Sequence, residues 1–165
     1  MKAASYSVLF VFITSSALCM LIENSQATGL ENLAKRAEQN HITALANKIH
    51  DINPNAPARM IIFAVRDYCP ELPETLVLAV IWQESTFRVN AIGKAKEQGL
   101  MQIHPMNGRA KSVESNIKTG CELLSSHYEK YRDYKKALRA YNGWGSKGFY
   151  SSAVLRKRQL LEKLS

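Results

Sequence analysis

The sequence predicts a mainly α single domain. Three observations predict it: a length that suits one domain, apolar residues recurring at three- and four-residue steps, and an apolar run long enough for a buried central helix. The chain has 165 residues, too few for two ordinary domains. Apolar residues make up 46% and charged residues 22%, a globular rather than a disordered balance.

Leu30, Leu33, Ala34, Ala37, Leu45, Ile49 and Ile52 recur at helical steps among Glu, Lys, Asn and Gln. This predicts an amphipathic helix over about 30–51, ended by Asn53-Pro54-Asn55. Ala58–Tyr68 reads as a second helix or an apolar connector. Pro73 suits a first helical position, and Glu74 behind it suits the positive helix dipole. Residues 76–82 (Leu-Val-Leu-Ala-Val-Ile-Trp) are apolar all round, which marks a helix in the domain centre. A buried strand is the competitor, and the helical setting favours helix.

Residues 86–108 are irregular, broken by Asn90, Gly93, Gly99, Pro105 and Gly108, with Leu100–Ile103 compatible with a short strand. Helical spacing resumes at Ser115–Tyr131, Tyr134–Tyr141 and Phe149–Leu164. The fold class is therefore mainly α, with a short irregular or weakly stranded insertion.

Residues 1–27 read as a signal peptide, leaving residues 28–165 as the mature domain. Lys2 gives the positive start, Val8–Ile22 the apolar run, and Ser25-Gln26-Ala27 the small-residue cleavage site. An uncleaved anchor is the alternative. Leu18 before Cys19 is too large for a usual lipidation box. The expected location is exported, in the periplasm or cell envelope. After cleavage two cysteines remain, Cys69 and Cys121, and an even pair in an exported chain reads as one disulfide. Two buried free thiols are the alternative.

The net charge of +8 favours anionic surfaces such as phospholipid headgroups or an acidic wall polymer. Basic residues are spread along the chain, and no motif supports nucleic-acid binding. Four His without paired spacing give no metal site, and no cofactor is expected.

Glu84 follows the most apolar helix directly, where a polar loop begins. A carboxyl at such a rim is partly desolvated, which raises its pKa and suits a general acid. A helix cap or a pair with Arg88 is the plainer alternative. Glu84-Ser85-x-Phe87-x-x-Asn90-Ala91 is followed by Gly99-Leu100-Met101-Gln102-Ile103, then Asn116-Ile117-x-x-Gly120, then Ala140-Tyr141-Asn142-x-x-Gly145. In this order the set resembles the SLT-type lytic transglycosylase catalytic domain, a relative of goose-type lysozyme, over about residues 70–160.

The resemblance implies a lysozyme-like fold with a glycan cleft. It implies cleavage of the MurNAc–GlcNAc β-1,4 bond of peptidoglycan without water, leaving 1,6-anhydromuramic ends. Glu84 would then be the catalytic acid/base, and Tyr141 the tyrosine whose hydroxyl approaches it. Ser85, Met101, Gln102 and Asn142 would contact substrate. Small single-domain members often open the wall locally for a secretion or conjugation apparatus, so the partners implied are peptidoglycan strands and such a machine. The chain is expected to act as a monomer.

Several residues have plainer alternatives. Gln102 and Asn142 can satisfy loop backbone, and Met101 can be core. Trp144 suits stacking on a sugar or packing at the rim. Glu97 and Glu114 are possible second carboxylates, though neither lies in a matching motif position. The short stretch between Ile103 and Asn116 predicts a lower cleft wall, and Gly143 stands where many relatives carry Ala. The segment 30–60 has no counterpart and is compatible with a docking surface. A hydrolytic lysozyme and a non-catalytic wall-binding assembly protein are the alternative functions.

Overall fold

A computed structural model of the chain describes residues 15–108, 112–145 and 148–164. For residues 15–27 only the helical backbone is described, so the signal-peptide segment 1–27 lies essentially outside the described residues. Part of the stretch expected to give a low wall, residues 109–111, lies outside them as well. The helices are α1 (Ser15–Ile52), α2 (Ala58–Tyr68), α3 (Glu74–Ser85), α4 (Val113–Tyr131), α5 (Tyr134–Tyr141) and α6 (Phe149–Glu162), with a 3₁₀ turn at Pro105–Asn107. No strand occurs among the described residues.

Two compact units divide the chain, residues 1–39 and 40–165. In the first, the described backbone is helical. Lys35 pairs with Glu31 one turn away at 2.6 Å, an exposed pair of small energetic weight. Leu30 and Leu33 are 68% and 62% exposed. The apolar spacing upstream of residue 40 therefore does not mark a core-facing stripe, whereas downstream of it the spacing does. Among the described residues no helix is long and apolar enough to cross a membrane.

The second unit is built around α3. Leu76, Val77, Leu78, Ala79, Val80 and Ile81 are all fully buried. That is the outcome expected of a helix with no polar face. Helix α6 packs on α3, α2 packs on both α3 and α4, and α5 packs on α4 and α6. Ile42, Leu45, Ala46 and Ile49 of α1 are buried in the same core. The part of α1 from residue 40 onward thus contributes to the core of this unit.

Polar contacts fix the junctions. Glu74, the first residue of α3, accepts from Arg66 Nε at 2.7 Å and lies 3.1 Å from His41 Nε2. These contacts join α1, α2 and the start of α3. Pro73 is the N-cap rather than the first helical residue, with an extended backbone (ψ 127°). Ser112 and Ser115 form a reciprocal capping box at the start of α4.

The irregular insertion holds only isolated bridges, Ile92 to Gln98 and Gln98 to Ile103. The short strand expected at Leu100–Ile103 is instead a tight turn. Gly99 (φ 79°) and Gln102 (φ 49°) both adopt left-handed backbone, which an extended strand does not tolerate.

The expected disulfide is present. Cys69, at the C-cap of α2, bonds Cys121 in α4 with 5.6 Å between Cα atoms and a sequence separation of 52. In the chain-entropy account a loop of this size stabilises the fold by about 4 kcal/mol. Reduction should shift the urea midpoint down by an amount equivalent to about 3–4 kcal/mol. An unchanged midpoint would show that the bridge adds nothing to the native state.

Candidate active site

Glu84 sits in the last turn of α3, where the buried helix gives out onto a cleft of about 470 Å³. The cleft is lined by Glu84, Glu97, Gln102, His104, His127, Tyr141 and Asn142, with Gly93, Lys94 and Gly143 among its other walls. Burial pushes the Glu84 carboxyl up to about 7, a hydrogen bond from Tyr150 opposes this, and the nearby Glu97 charge adds to it. Desolvation penalises the ionised form, so the group stays partly protonated at neutral pH. The Tyr150 hydroxyl donates a short hydrogen bond to Glu84 Oε1.

Tyr150 stands in the first turn of α6, 66 residues from Glu84 in sequence. The packing of α6 on α3 brings the two together. The hydroxyl bonded to the Glu84 carboxyl is therefore that of Tyr150, while Tyr141 stands close enough to feel its charge. Tyr141 lines the cleft, but its hydroxyl donates to the Met101 carbonyl at 2.8 Å. Burial and the Glu84 charge raise the pKa of both tyrosines, so both remain protonated donors.

The turn at residues 99–102 is held from α4. Asn116, buried in the core, accepts from Met101 N and donates to Gln98 O, both at 2.8 Å. A Cβ on Gly99 would fall 2.4 Å from Asn116 Nδ2, and one on Gly120 would fall 2.4 Å from Met101 Sδ. Both glycines are needed for close approach. Met101 is fully buried against Gly120 and does not line the cleft. Its part in the site is through its backbone carbonyl, not through substrate contact.

Gln102 lines the cleft, yet its Nε2 donates to Gly99 O at 2.9 Å and Ala91 O at 3.3 Å. Its Oε1 faces Gly93, as does Glu97 Oε2. The amide thus braces the loop and presents an acceptor to the cleft. Asn142 lines the cleft. Ser85 does not: it is buried, and its Oγ donates to Ile81 O at 3.0 Å. Arg88 Nε donates to the Ser85 carbonyl, so it is turned to the backbone after Glu84.

Of the two other carboxylates, Glu97 lies in the cleft, while Glu114, in the first turn of α4, does not line it. His104 lines the cleft and accepts from Met106 N at 3.2 Å through Nδ1. Among the described residues no group of His, Cys, Asp and Glu could hold a metal ion.

The chain leaves α3 through two consecutive left-handed residues, Thr86 (φ 51°) and Phe87 (φ 59°). Such backbone is unfavourable for bulky side chains and persists only where neighbours enforce it. Phe87 is fully buried, and its carbonyl accepts from Asn53 Nδ2 at 3.0 Å. Asn53 follows α1 directly, so a residue outside the motif set helps to fix the loop that follows Glu84.

The raised Glu84 pKa couples folding to pH. Between pH 4.5 and about 7 the folded chain keeps a proton on Glu84 that the unfolded chain has lost. Stability from this group is therefore present below pH 4.5 and declines as pH rises through about 7, by about 3 kcal/mol across the window. Glu84→Gln should remove that decline, making the variant more stable than the parent at pH 8 and similar to it at pH 4. Parallel denaturation curves for the two proteins from pH 4 to 8 would contradict the assignment.

A search of solved structures finds no match. The transglycosylase SLT domain matches residues 61–150, more than half of the chain, and takes in Glu84, Glu97, Gln102, Tyr141, Asn142 and Tyr150. The matched residues include the desolvated Glu84 carboxyl at the end of α3 and most of the cleft it faces, and the chain belongs to the SLT transglycosylase family.

Proposed function

We propose that the protein is an exported lytic transglycosylase that cuts the MurNAc–GlcNAc β-1,4 bond and leaves 1,6-anhydromuramic ends, opening the wall locally for an envelope-spanning apparatus. The observation that carries this is the Glu84 carboxyl, held near neutral pKa in the cleft under the Tyr150 hydroxyl.

The chemistry needs one group that gives a proton and then takes one. Protonated Glu84 donates to the glycosidic oxygen as the C1–O bond breaks, and the leaving strand departs with a free 4-hydroxyl. The substrate's own N-acetyl group steadies the cationic C1, a route known outside the two-carboxylate rule. The Glu84 carboxylate then accepts the proton of the C6 hydroxyl as that oxygen closes on C1. No water is consumed, and the carboxyl ends as it began. A pKa near the working pH favours both transfers. Tyr150 holds the carboxyl in place, Tyr141 and Asn116 hold the 99–102 turn, and Gln102 and Asn142 offer polar groups to the sugars.

Glu97 in the cleft favours a second reading, a hydrolytic lysozyme in which a second carboxylate activates water. Mass spectrometry of digested sacculi separates the two. Anhydro ends are expected; reducing ends would establish hydrolysis, and no new ends would leave only wall binding. Glu84→Gln should abolish cleavage while folding, because the amide keeps the shape and loses the proton.

The acid must be protonated at the first step, so kcat/KM should fall above about pH 7. The Tyr150 hydrogen bond lowers the Glu84 pKa, so Tyr150→Phe should move this alkaline limb to higher pH. A limb that stays in place in the variant would remove Tyr150 from control of the acid.

A further inference from the structure

Two separate segments lead out of the cleft to the same pair of rings. Leu123 and His127 line the cleft from α4, and Tyr131 continues their i, i+4, i+8 ridge along that helix. On the other side Asn142 and Gly143 line the cleft, and Trp144 is the next residue. The rings of Tyr131 and Trp144 meet at 5.5 Å and 80°.

Trp144 is held rather than loose. Its amide donates to Arg139 O at 2.8 Å, and the Arg139 guanidinium lies 5.0 Å from the ring centroid. Its backbone is left-handed (φ 61°), an unfavourable conformation for a bulky side chain and one that marks functional positions. Despite these contacts it is 45% exposed. A rigid aromatic ring that stays open to solvent matches the apolar C–H face of a pyranose, because stacking removes both from water at little entropic loss. The cleft volume suits a short ligand, whereas a glycan strand must leave it at an end.

We propose that Tyr131 and Trp144 extend the cleft, with Trp144 as a stacking platform for a sugar ring outside the cleavage site. This rests on reading the cleft as a glycan cleft. It gives the enzyme a preference for longer strands that requires no stem peptide.

Trp82 and Trp144 are the chain's two tryptophans. A Trp82→Phe, Glu84→Gln protein therefore reports on Trp144 alone and does not turn over. GlcNAc dimer and hexamer serve as probes, with binding followed by calorimetry and by tryptophan emission. The hexamer should bind more tightly than the dimer and shift the emission. Adding Trp144→Ala should weaken hexamer binding about tenfold and erase most of the length preference, and Trp144→Phe should restore part of it. Thermal melts confirm that the variants fold.

A hexamer that binds with no emission change, or binds equally tightly without Trp144, overturns the platform. So does a hexamer that fails to bind although the wild-type protein cleaves sacculi; in each case cleavage leaves the functional reading standing. A wild-type protein that neither cleaves sacculi nor binds any glycan overturns both.

Discussion

The carboxyl of Glu84 is the group around which the rest of the site is arranged. It lies at the end of α3, whose central residues 76–81 are buried all round, and the surrounding apolar mass withholds the water that would ionise it. The same burial that stabilises the core therefore tunes the acid. Tyr150 opposes the shift by donating to the ionised form, while Glu97 reinforces it. The balance leaves the group near 7, where it can give and regain a proton. Packing of α6 on α3 thus reaches the cleft as well as the core, since it delivers the Tyr150 hydroxyl to the Glu84 carboxyl.

Much of the motif signature turns out to be scaffolding. Gly99, Gly120, Asn116 and Tyr141 all act on one turn: the glycines permit close approach, and the side chains of Asn116 and Tyr141 bond its backbone. Gln102 stands at the end of that turn and faces the cleft. Through that turn these four residues shape the cleft wall. The Asn53 contact to Phe87 extends the same logic to the segment before α2.

The helices were legible because their apolar spacing reports a physical face. The bounds of α2 and α5 are those read from the residues, and α4 and α6 differ only at their ends. The helix expected from residue 30 begins at Ser15, since a helical backbone continues upstream where no core-facing stripe exists. At the insertion, an apolar run resembled a strand, but left-handed backbone at Gly99 and Gln102 makes it a turn.

In the site, the place of Glu84 at a hydrophobic boundary only hints at a desolvated carboxyl, and motif order singles it out together with Gln102, Tyr141 and Asn142; all four line the cleft. Ser85 and Met101 follow the motif but face inward, because helix phase and the contact with Gly120 point them to the core. Tyr150 was missed. Its role depends on the pairing of α3 with α6, and no local pattern in the α6 segment marks it. Its one signal was an aromatic hydroxyl in the first turn of a helix whose neighbours were unknown. Glu97 was named as a possible second carboxylate, but only the fold of the insertion turns it into the cleft.

The most direct test of the central claim is an NMR titration of the Glu84 side-chain carboxyl carbon, assigned by comparison with Glu84→Gln. The account predicts a midpoint near pH 7, well above that of an exposed glutamate. A midpoint near 4.5 would show a solvated, fully ionised carboxylate at neutral pH and would contradict its role as the proton donor.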